Sequence, residues 1–190
     1  MSAVGFDLAA RTVAGAPVRV IDGVATAPTA ALNVAVTTAG TMVFVPVQSG
    51  SGVLRSLLWV DRQGRETPIA APPRPYEAAR LSPDGTQVAV SIRDQQNDLW
   101  VWSLTRQTLT RLTFDPDIEL SPVWTPDGQR IVFASARAGA YNLYARDLGA
   151  SGAEVRLTSG ANSELPNSVT PDGASTIAHQ VQPQTRSDLM

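Results

Sequence analysis

A Pro-Asp-Gly turn that recurs at a nearly constant spacing is the feature of this sequence that most constrains its fold. The three copies are Ser82-Pro83-Asp84-Gly85, Thr125-Pro126-Asp127-Gly128 and Thr170-Pro171-Asp172-Gly173, with glycines 43 and 45 residues apart. A weaker fourth copy, Thr37-Thr38-Ala39-Gly40, precedes them. Periods of about 20–50 residues are typical of solenoids, propellers and other repeat arrays. The sequence therefore predicts a chain built from repeated structural units.

Three further landmarks keep the same phase as the turns. The first is an aliphatic residue three positions after the glycine, the second is a pair of large apolar residues, and the third is an aliphatic residue 16 positions before the next glycine. The first landmark is Val43, Val88 and Ile131. The second is Leu58-Trp59, Leu99-Trp100, Leu143-Tyr144 and Leu189-Met190. The third is Ile69, Leu112 and Leu157. Landmarks that repeat together indicate that each period is one structural unit.

Each period is predicted to hold four short strands. In the second unit these are residues 77–82, 87–93, 98–104 and 109–114, rich in Val, Ile, Leu and Trp and separated by turn residues. Pro-Asp-Gly suits a tight turn because proline presets φ, aspartate bonds nearby backbone and glycine accepts a positive φ. Four antiparallel strands per unit predict an all-β fold, a β-propeller with about four blades' worth of sheets.

The units are placed at residues 1–22, 33–71, 77–114, 121–159 and 166–190 of one propeller domain, 1–190. Residues 5–21 match the third and fourth strands of a unit, with Leu8 aligned to Leu99, and Asp188 begins a third strand. In one interpretation the N-terminal strands complete the last blade and close four blades. In the other, the chain is part of a larger propeller completed by a parent chain or a second copy. Both ends fall inside strands, which favours the larger propeller.

Composition excludes several classes of function. The chain has no cysteine, which excludes disulfides, cysteine-ligated metals and thiol catalysis. A net charge of -2 without a block of like charge gives no reason to expect nucleic acid or an anionic membrane as partner. No apolar run approaches the length of a membrane span, and the start lacks the pattern of a signal peptide. No cofactor or metal is predicted.

Longer motifs resemble a known family. Arg80-Leu81-Ser82-Pro83-Asp84-Gly85 and Pro122-Val123-Trp124-Thr125-Pro126-Asp127-Gly128 are similar to the WD40-like PD40 repeats of TolB-type propellers, which also occur in propellers attached to peptidases. Phe6-Asp7-Leu8, Leu58-Trp59-Val60-Asp61 and Asp98-Leu99-Trp100-Val101-Trp102 resemble the C-terminal propeller of bacterial transmembrane serine/threonine kinases. The resemblance implies a sensing or interaction module, in an extracytoplasmic location.

Catalytic groups are not predicted. The chain lacks lysine, a glycine-rich phosphate loop and the His-Arg-Asp and Asp-Phe-Gly motifs, so it has no kinase machinery. It has one histidine, His179, and no Gly-x-Ser-x-Gly motif. An extra residue after Gly173 would place His179 where Phe133 stands, on a sheet position. Asp84, Asp127 and Asp172 recur once per unit, which favours turn chemistry over catalysis.

Acidic residues near the crossovers between units are the candidate ligand-binding site. Glu119 and Glu164 each lie seven residues before their Pro-Asp-Gly proline, and Glu77 lies six before its own. With Asp117, they are predicted to cluster around one mouth of the central channel and to bind a cation, an amine or a basic peptide. In the alternative interpretation, each carboxylate caps backbone N–H groups of its own crossover.

Three hypotheses of function follow. The first is a non-catalytic binding or sensor module for a protein, peptide or small-molecule ligand, with self-association completing the propeller. The second is a hydrolase or a peptidase-associated propeller with its site at the channel mouth. The third is an incomplete propeller without independent function, whose exposed strand edges promote aggregation. Trp59, Trp100 and Trp102 are predicted to be buried between blades, with Trp59 equivalent to Trp100.

Overall fold

The computed structural model describes residues 2–7, 10, 12–19, 34–36, 42–44, 54–94, 96–149 and 152–182. Within these residues the chain forms β-strands and turns and no helix. The strands are β1 Ser2–Asp7, β2 Thr12–Arg19, β3 Val34–Val36, β4 Met42–Phe44, β5 Leu58–Val60, β6 Glu66–Pro68, β7 Tyr76–Leu81, β8 Gln87–Arg93, β9 Asn97–Ser103, β10 Thr108–Arg111, β11 Glu119–Trp124, β12 Arg130–Ala138, β13 Ala140–Asp147, β14 Glu154–Arg156, β15 Glu164–Val169 and β16 Thr176–Gln180. The all-β prediction is confirmed.

The strands form antiparallel sheets in chain order. Strands β3–β6, β7–β10 and β11–β14 each make a four-stranded sheet, here the first, second and third blades. Strands β1–β2 and β15–β16 make two-stranded sheets, and β15–β16 is here the fourth blade. The innermost strand of each blade packs on the preceding blade: β7 on β3 and β4, β11 on β7 to β9, and β15 on β11 to β13. This arrangement is that of a partial β-propeller.

Apolar side chains from facing sheets fill the space between blades. Between the first and second blades the buried residues include Leu57, Ile69, Tyr76, Val90 and Trp102. Between the second and third they include Leu99, Trp124, Ile131, Phe133 and Tyr144. Strands such as β8 and β12 are apolar on both faces because each sheet has a neighbour on either side. Trp59 and Trp100 are half-buried and pack against the first of these cores.

The Pro-Asp-Gly turns perform the predicted local chemistry. Asp127 Oδ1 accepts hydrogen bonds from Thr125 Oγ1 at 2.6 Å and from the Gln129 N–H at 2.9 Å. The Gly128 N–H closes the turn on the Thr125 carbonyl at 2.9 Å, with a φ of 67° that a glycine adopts without strain. Asp84 and Asp172 make the same contacts in their own turns. The assignment of these aspartates to turns is confirmed.

The other repeated motifs join the third and fourth strands of a blade. In the second blade, Thr113 Oγ1 accepts the Leu99 N–H at 3.0 Å, and Arg111 donates to Asp98 at 2.8 Å. The third blade repeats both contacts: Thr158 accepts from Leu143, and Arg156 donates to Asn142. The second and third landmarks recur together in the sequence because the residues at and beside them bond the third strand of a blade to the end of its fourth strand.

The predicted equivalence of Trp59 with Trp100 is wrong by one residue. The Ile69 N–H donates to the Leu57 carbonyl at 2.9 Å, just as the Leu112 N–H donates to the Leu99 carbonyl at 2.8 Å. Leu57 is therefore the counterpart of Leu99, and Trp59 the counterpart of Val101. Because side chains alternate along a strand, Trp59 and Trp100 face opposite sides of their blades.

The N-terminal hairpin also differs in register from the prediction. Asp7 pairs with Thr12 beside the hairpin turn, as Ser103 pairs with Thr108, so Asp7 is the counterpart of Ser103 and not of Asp98. Leu8, which the prediction aligns with Leu99, lies outside the described residues. In the described residues β1–β2 is not hydrogen bonded to β15–β16, so the four-blade closure of the first interpretation is not formed there, and the larger propeller stays a prediction. The weak turn copy at 37–40 and the predicted strand at 188–190 lie outside the described residues.

Candidate functional site

The candidate acidic residues lie at one end of the sheets, here called the crossover face. It carries the connections between blades, residues 112–118 and 157–163, whereas the Pro-Asp-Gly turns lie at the opposite end, the turn face. Glu119 and Glu164 are the first residues of β11 and β15, Glu77 is the second residue of β7, and Asp117 lies in a crossover. The topology therefore places all four at the same end of neighbouring blades.

Glu119 is held inside the protein by Arg137. Its side chain is 0% exposed, and one carboxylate oxygen accepts a hydrogen bond from the Arg137 guanidinium. Burial raises the pKa of Glu119, and the Thr113 hydroxyl and Arg137 offset part of that rise. A carboxylate in such a position fixes the crossover to β12 and is not open to a ligand.

Arg137 is the centre of a charged cluster that the sequence did not predict. Besides Glu119, it donates to Glu154 at 2.7 Å and lies 3.4 Å from an Asp115 oxygen. Its guanidinium lies over the Tyr144 ring, 4.5 Å from the ring centre. No repeated signal could have revealed it, because the residue nine positions after the turn glycine is Arg137 here and Asp94 in the second blade.

Glu164 and Glu77 differ in their environments. Glu164 accepts a hydrogen bond from Gln180 at 3.0 Å, while its other oxygen is buried without a hydrogen-bond partner in the structure. Glu77 forms an ion pair with Arg93 at 3.3 Å on the crossover face. The residue at the position of Glu119 and Glu164 in the second blade is Tyr76, paired with Ile92 as Glu119 is paired with Ser135.

Burial raises the pKa of Tyr76 to about 12. Its hydroxyl donates to the Pro72 carbonyl at 2.6 Å, so it ties the crossover to β7. A side chain at this position thus has the same structural role in the second and third blades, performed by a phenol in one and a carboxylate in the other.

Asp117 is the exposed member of the set. The Asp117 N–H donates to Asp115 Oδ1 at 3.0 Å, which orders the loop. In the part of the chain that the structure describes, no hydrogen bond or ion pair engages the Asp117 carboxylate. Two apolar side chains of the same loop are also exposed, Phe114 at 64% and Ile118 at 42%. Phe114, Asp117 and Ile118 are here called the acidic–apolar patch.

His179 lies in the sheet, but not at the predicted position. Its partner across the sheet is Leu165, as the partner of Ala134 is Leu120, so His179 stands where Ala134 does. The expected extra residue after Gly173 is absent, because Val169 pairs with Thr176 as Trp124 pairs with Ile131. The histidine Nδ1 forms a 2.8 Å hydrogen bond with Asn167 Oδ1.

The described residues contain no cluster of metal ligands. Across 54–94, 96–149 and 152–182, no three or more histidine, aspartate or glutamate side chains converge as metal ligands would. Nor do the described residues form a helix of the length and apolarity that crossing a bilayer requires.

The stacked four-stranded sheets and their turn motif define the class of protein as a β-propeller built from PD40-type blades. The family model described as the TolB β-propeller domain, PD40, matches residues 54–189. The chain belongs to this family.

Relatives of known sequence and structure agree with the assignment. Tol-Pal system protein TolB of Helicobacter pylori is 33% identical over 86 residues, which are 44% of this chain and 21% of the relative. A protein assigned as TolB from Agrobacterium tumefaciens superposes with a TM-score of 0.67 at 21% identity, covering 81% of this chain and 55% of the other. TolB from Acinetobacter baumannii superposes with a TM-score of 0.57 at 18% identity, covering 85% of this chain and 40% of the other. The structural matches establish the fold.

Proposed function

We propose that the chain is a non-catalytic β-propeller module that binds a protein partner at its crossover face. The observation that carries this proposal is the acidic–apolar patch, where two exposed apolar side chains flank an unengaged carboxylate. Large apolar side chains in a surface loop give up unfavourable hydration when a partner covers them. Phe114 and Ile118 do not belong to either of the described apolar cores between blades.

The patch favours a partner segment that combines a basic and an apolar residue. Asp117 supplies the charge for an arginine or lysine, and the Phe114 ring supplies a face for an apolar or cationic side chain. That ring already lies 5.1 Å from the Arg111 guanidinium, so its face is compatible with a cation. Small-molecule amines share this chemistry, but the patch is an open loop, whose shape fits a peptide segment better than an enclosed ligand.

The family supports a role in protein recognition. The Helicobacter pylori relative is named as a protein of the Tol-Pal system, and the matched region is about a fifth of its length. From the family relationship we also propose an extracytoplasmic location. The motifs shared with receptor kinase propellers suggest, more specifically, the sensor region of such a receptor.

A displayed library of random peptides, selected on the immobilised chain, tests the proposal. We expect the selected peptides to pair arginine or lysine with an apolar residue. By calorimetry, binding should weaken by about tenfold or more in the double variant Phe114→Ser, Asp117→Asn. The matched control is Val155→Ser, Asp147→Asn, which changes the same residue classes away from the crossover face. Equal affinities of the two double variants would overturn the proposal.

A hydrolase with its site at the crossover face is the alternative that this experiment leaves open. His179, Glu119 and Glu164 are its candidate groups, and each has a hydrogen-bond partner in the sheets. We expect no turnover of ester or peptide substrates by the chain. Turnover that disappears on alanine substitution at one of these positions would reject a binding-only role.

A further inference from the structure

A cavity of about 1020 Å³ opens on the crossover face between the first and second blades. Trp100 contributes an indole ring to its wall, and three arginines, Arg74, Arg93 and Arg111, line it. The cavity is lined by none of the residues of the acidic–apolar patch, so it is a separate feature of the surface.

The corresponding position between the second and third blades is occupied by an arginine side chain. Tyr144 there takes the place of Trp100, since Phe133 pairs with Tyr144 as Val90 pairs with Trp100. The Arg137 side chain covers the Tyr144 ring. In the second blade the residue at the position of Arg137 is Asp94, whose side chain is too short to cover the indole. The cavity beside Trp100 is therefore open for a reason that the sequence explains.

The two spaces differ in charge. Around Arg137 three carboxylates converge, from Asp115, Glu119 and Glu154. The lining of the open cavity holds three arginines and two aspartates, and the acidic partner of Arg93, Glu77, is not part of the lining. An anionic guest is therefore more favourable in the open cavity than in the space around Arg137.

Two of the arginines have donors to spare. A guanidinium carries five N–H donors. In the described structure Arg74 uses one, on Asp94 at 3.0 Å, and Arg93 uses one, on Glu77 at 3.3 Å. Arg111 is committed to the blade through Asp98 and the Thr113 carbonyl. Arg74 and Arg93 are thus the available anion-binding groups.

We propose that this cavity binds a carboxylate carried on an apolar or aromatic group, such as the C-terminal residue of a peptide. Arg93 and Arg74 donate hydrogen bonds to the carboxylate, and the Trp100 ring packs against the apolar part. A guanidinium that binds a carboxylate through two parallel N–H groups distinguishes it from a neutral amide. The site extends the binding surface beyond the acidic–apolar patch and does not depend on it.

Calorimetry with the peptide acetyl-Gly-Gly-Leu-Phe, bearing a free C-terminal carboxylate, tests the proposal against the same peptide as its C-terminal amide. We expect the amide to bind about tenfold more weakly or worse. N-acetylphenylalanine separates the two sources of the carboxylate: affinity equal to that of the peptide indicates a small-molecule acid, and weaker binding indicates a peptide terminus.

Arg93→Gln should weaken carboxylate binding by about tenfold, and Trp100→Leu should weaken both the peptide and its amide. Arg130→Gln is the matched control, since the side chains of Arg93 and Arg130 are 59% and 58% exposed and each has one acidic partner. Because both arginines are exposed, neither change should prevent folding. The proposal is overturned if the free-acid peptide does not bind, if acid and amide bind alike, or if Arg93→Gln and Arg130→Gln have equal effects.

Discussion

Individual acidic residues in this propeller have opposite pKa shifts for identifiable reasons. In the Pro-Asp-Gly turns the hydroxyl at the first turn position and a backbone N–H hold the pKa of Asp84, Asp127 and Asp172 below 3.8. Glu119 is buried, and its pKa is raised. The recurrence of Pro-Asp-Gly was enough to predict that the aspartates stabilise turns. The burial of Glu119 could not be predicted, because its partner, Arg137, lies 18 residues further along the chain and has no counterpart in the second blade.

The turn aspartates should make stability depend on pH. Their folded-state pKa lies below the unfolded value of 3.8, so their stabilisation is complete above about pH 4 and is lost as pH falls through the folded pKa. The raised pKa of Glu119 acts in the opposite direction, because ionisation of this buried group costs stability as pH rises above the ordinary glutamate pKa of 4.5. A triple Asp→Asn variant of the three turns should have a lower urea midpoint than the parent at neutral pH.

The difference between the parent and the triple variant should shrink as the solution is acidified below about pH 4. A constant difference between neutral and acidic pH would show that hydrogen bonds to the ionised aspartates do not stabilise the turns.

Removing the arginine that holds the buried carboxylate of Glu119 should destabilise the protein. Arg137→Gln leaves the fully buried Glu119 without its charged partner, and we expect a loss of about 3 kcal/mol in the free energy of unfolding. This is the low end of the range for a broken buried pair, because the Thr113 hydroxyl still hydrogen bonds to Glu119. Asp147→Asn, which breaks the exposed pair with Arg130, should cost less than about 1 kcal/mol. Denaturant titration compares them, and equal losses would contradict the account.

At the level of strands and turns, the sequence predicted what repeats and missed what does not. The strands of the second blade lie within three residues of their predicted limits, because apolar runs and turn residues mark both ends. The one-residue error at Trp59 arose because aromatic residues occupy adjacent positions in different blades. Only the hydrogen bonds of Leu57 and Leu99 reveal the true register. Contacts between blades, such as that of Trp124, carry no repeated signal.

Trp124 joins two blades through a specific hydrogen bond. Its indole N–H donates to the Arg80 carbonyl of β7 at 2.9 Å, while the ring packs in the core between the second and third blades. Trp124→Phe retains an aromatic ring but removes this hydrogen bond between blades, which should cost about 1 kcal/mol in the free energy of unfolding. Trp59→Phe is the control, since no described contact is a hydrogen bond to the Trp59 indole. Similar losses from the two substitutions would contradict a role for the bond.

For the molecule as a whole, we expect self-association through the edge of β16, which pairs with no described strand other than β15. In the described structure β16 pairs with β15 alone, and Ile177 on this strand is 59% exposed. Strands with free backbone donors and acceptors pair readily with other chains. Sedimentation should show association that increases with protein concentration and decreases in Ile177→Lys, whereas Val155→Lys should behave as the parent. A monomer at all concentrations, with one sharp thermal transition, would instead indicate closure within a single chain.

The repeat, the family match and the fold are thus predictable from the sequence, whereas the surface that binds a partner depends on which side chains a blade leaves exposed. Three glutamates were candidates from their spacing to the turns, and Asp117 was added as an acid of the same crossover. The structure leaves only Asp117 open, since Glu119 is buried, Glu77 is paired with Arg93 and Glu164 is bonded to Gln180. Spacing could not distinguish them because burial depends on the partner strand and not on position within the repeat.

Hydrogen exchange of the chain with and without a selected peptide is the most direct test of its role as a binding module. We expect the bound peptide to slow exchange in the crossover segment 112–118 and to leave exchange in the Pro-Asp-Gly turns at 83–85, 126–128 and 171–173 unchanged. Protection confined to those turns, or no change at the crossover face, would contradict it.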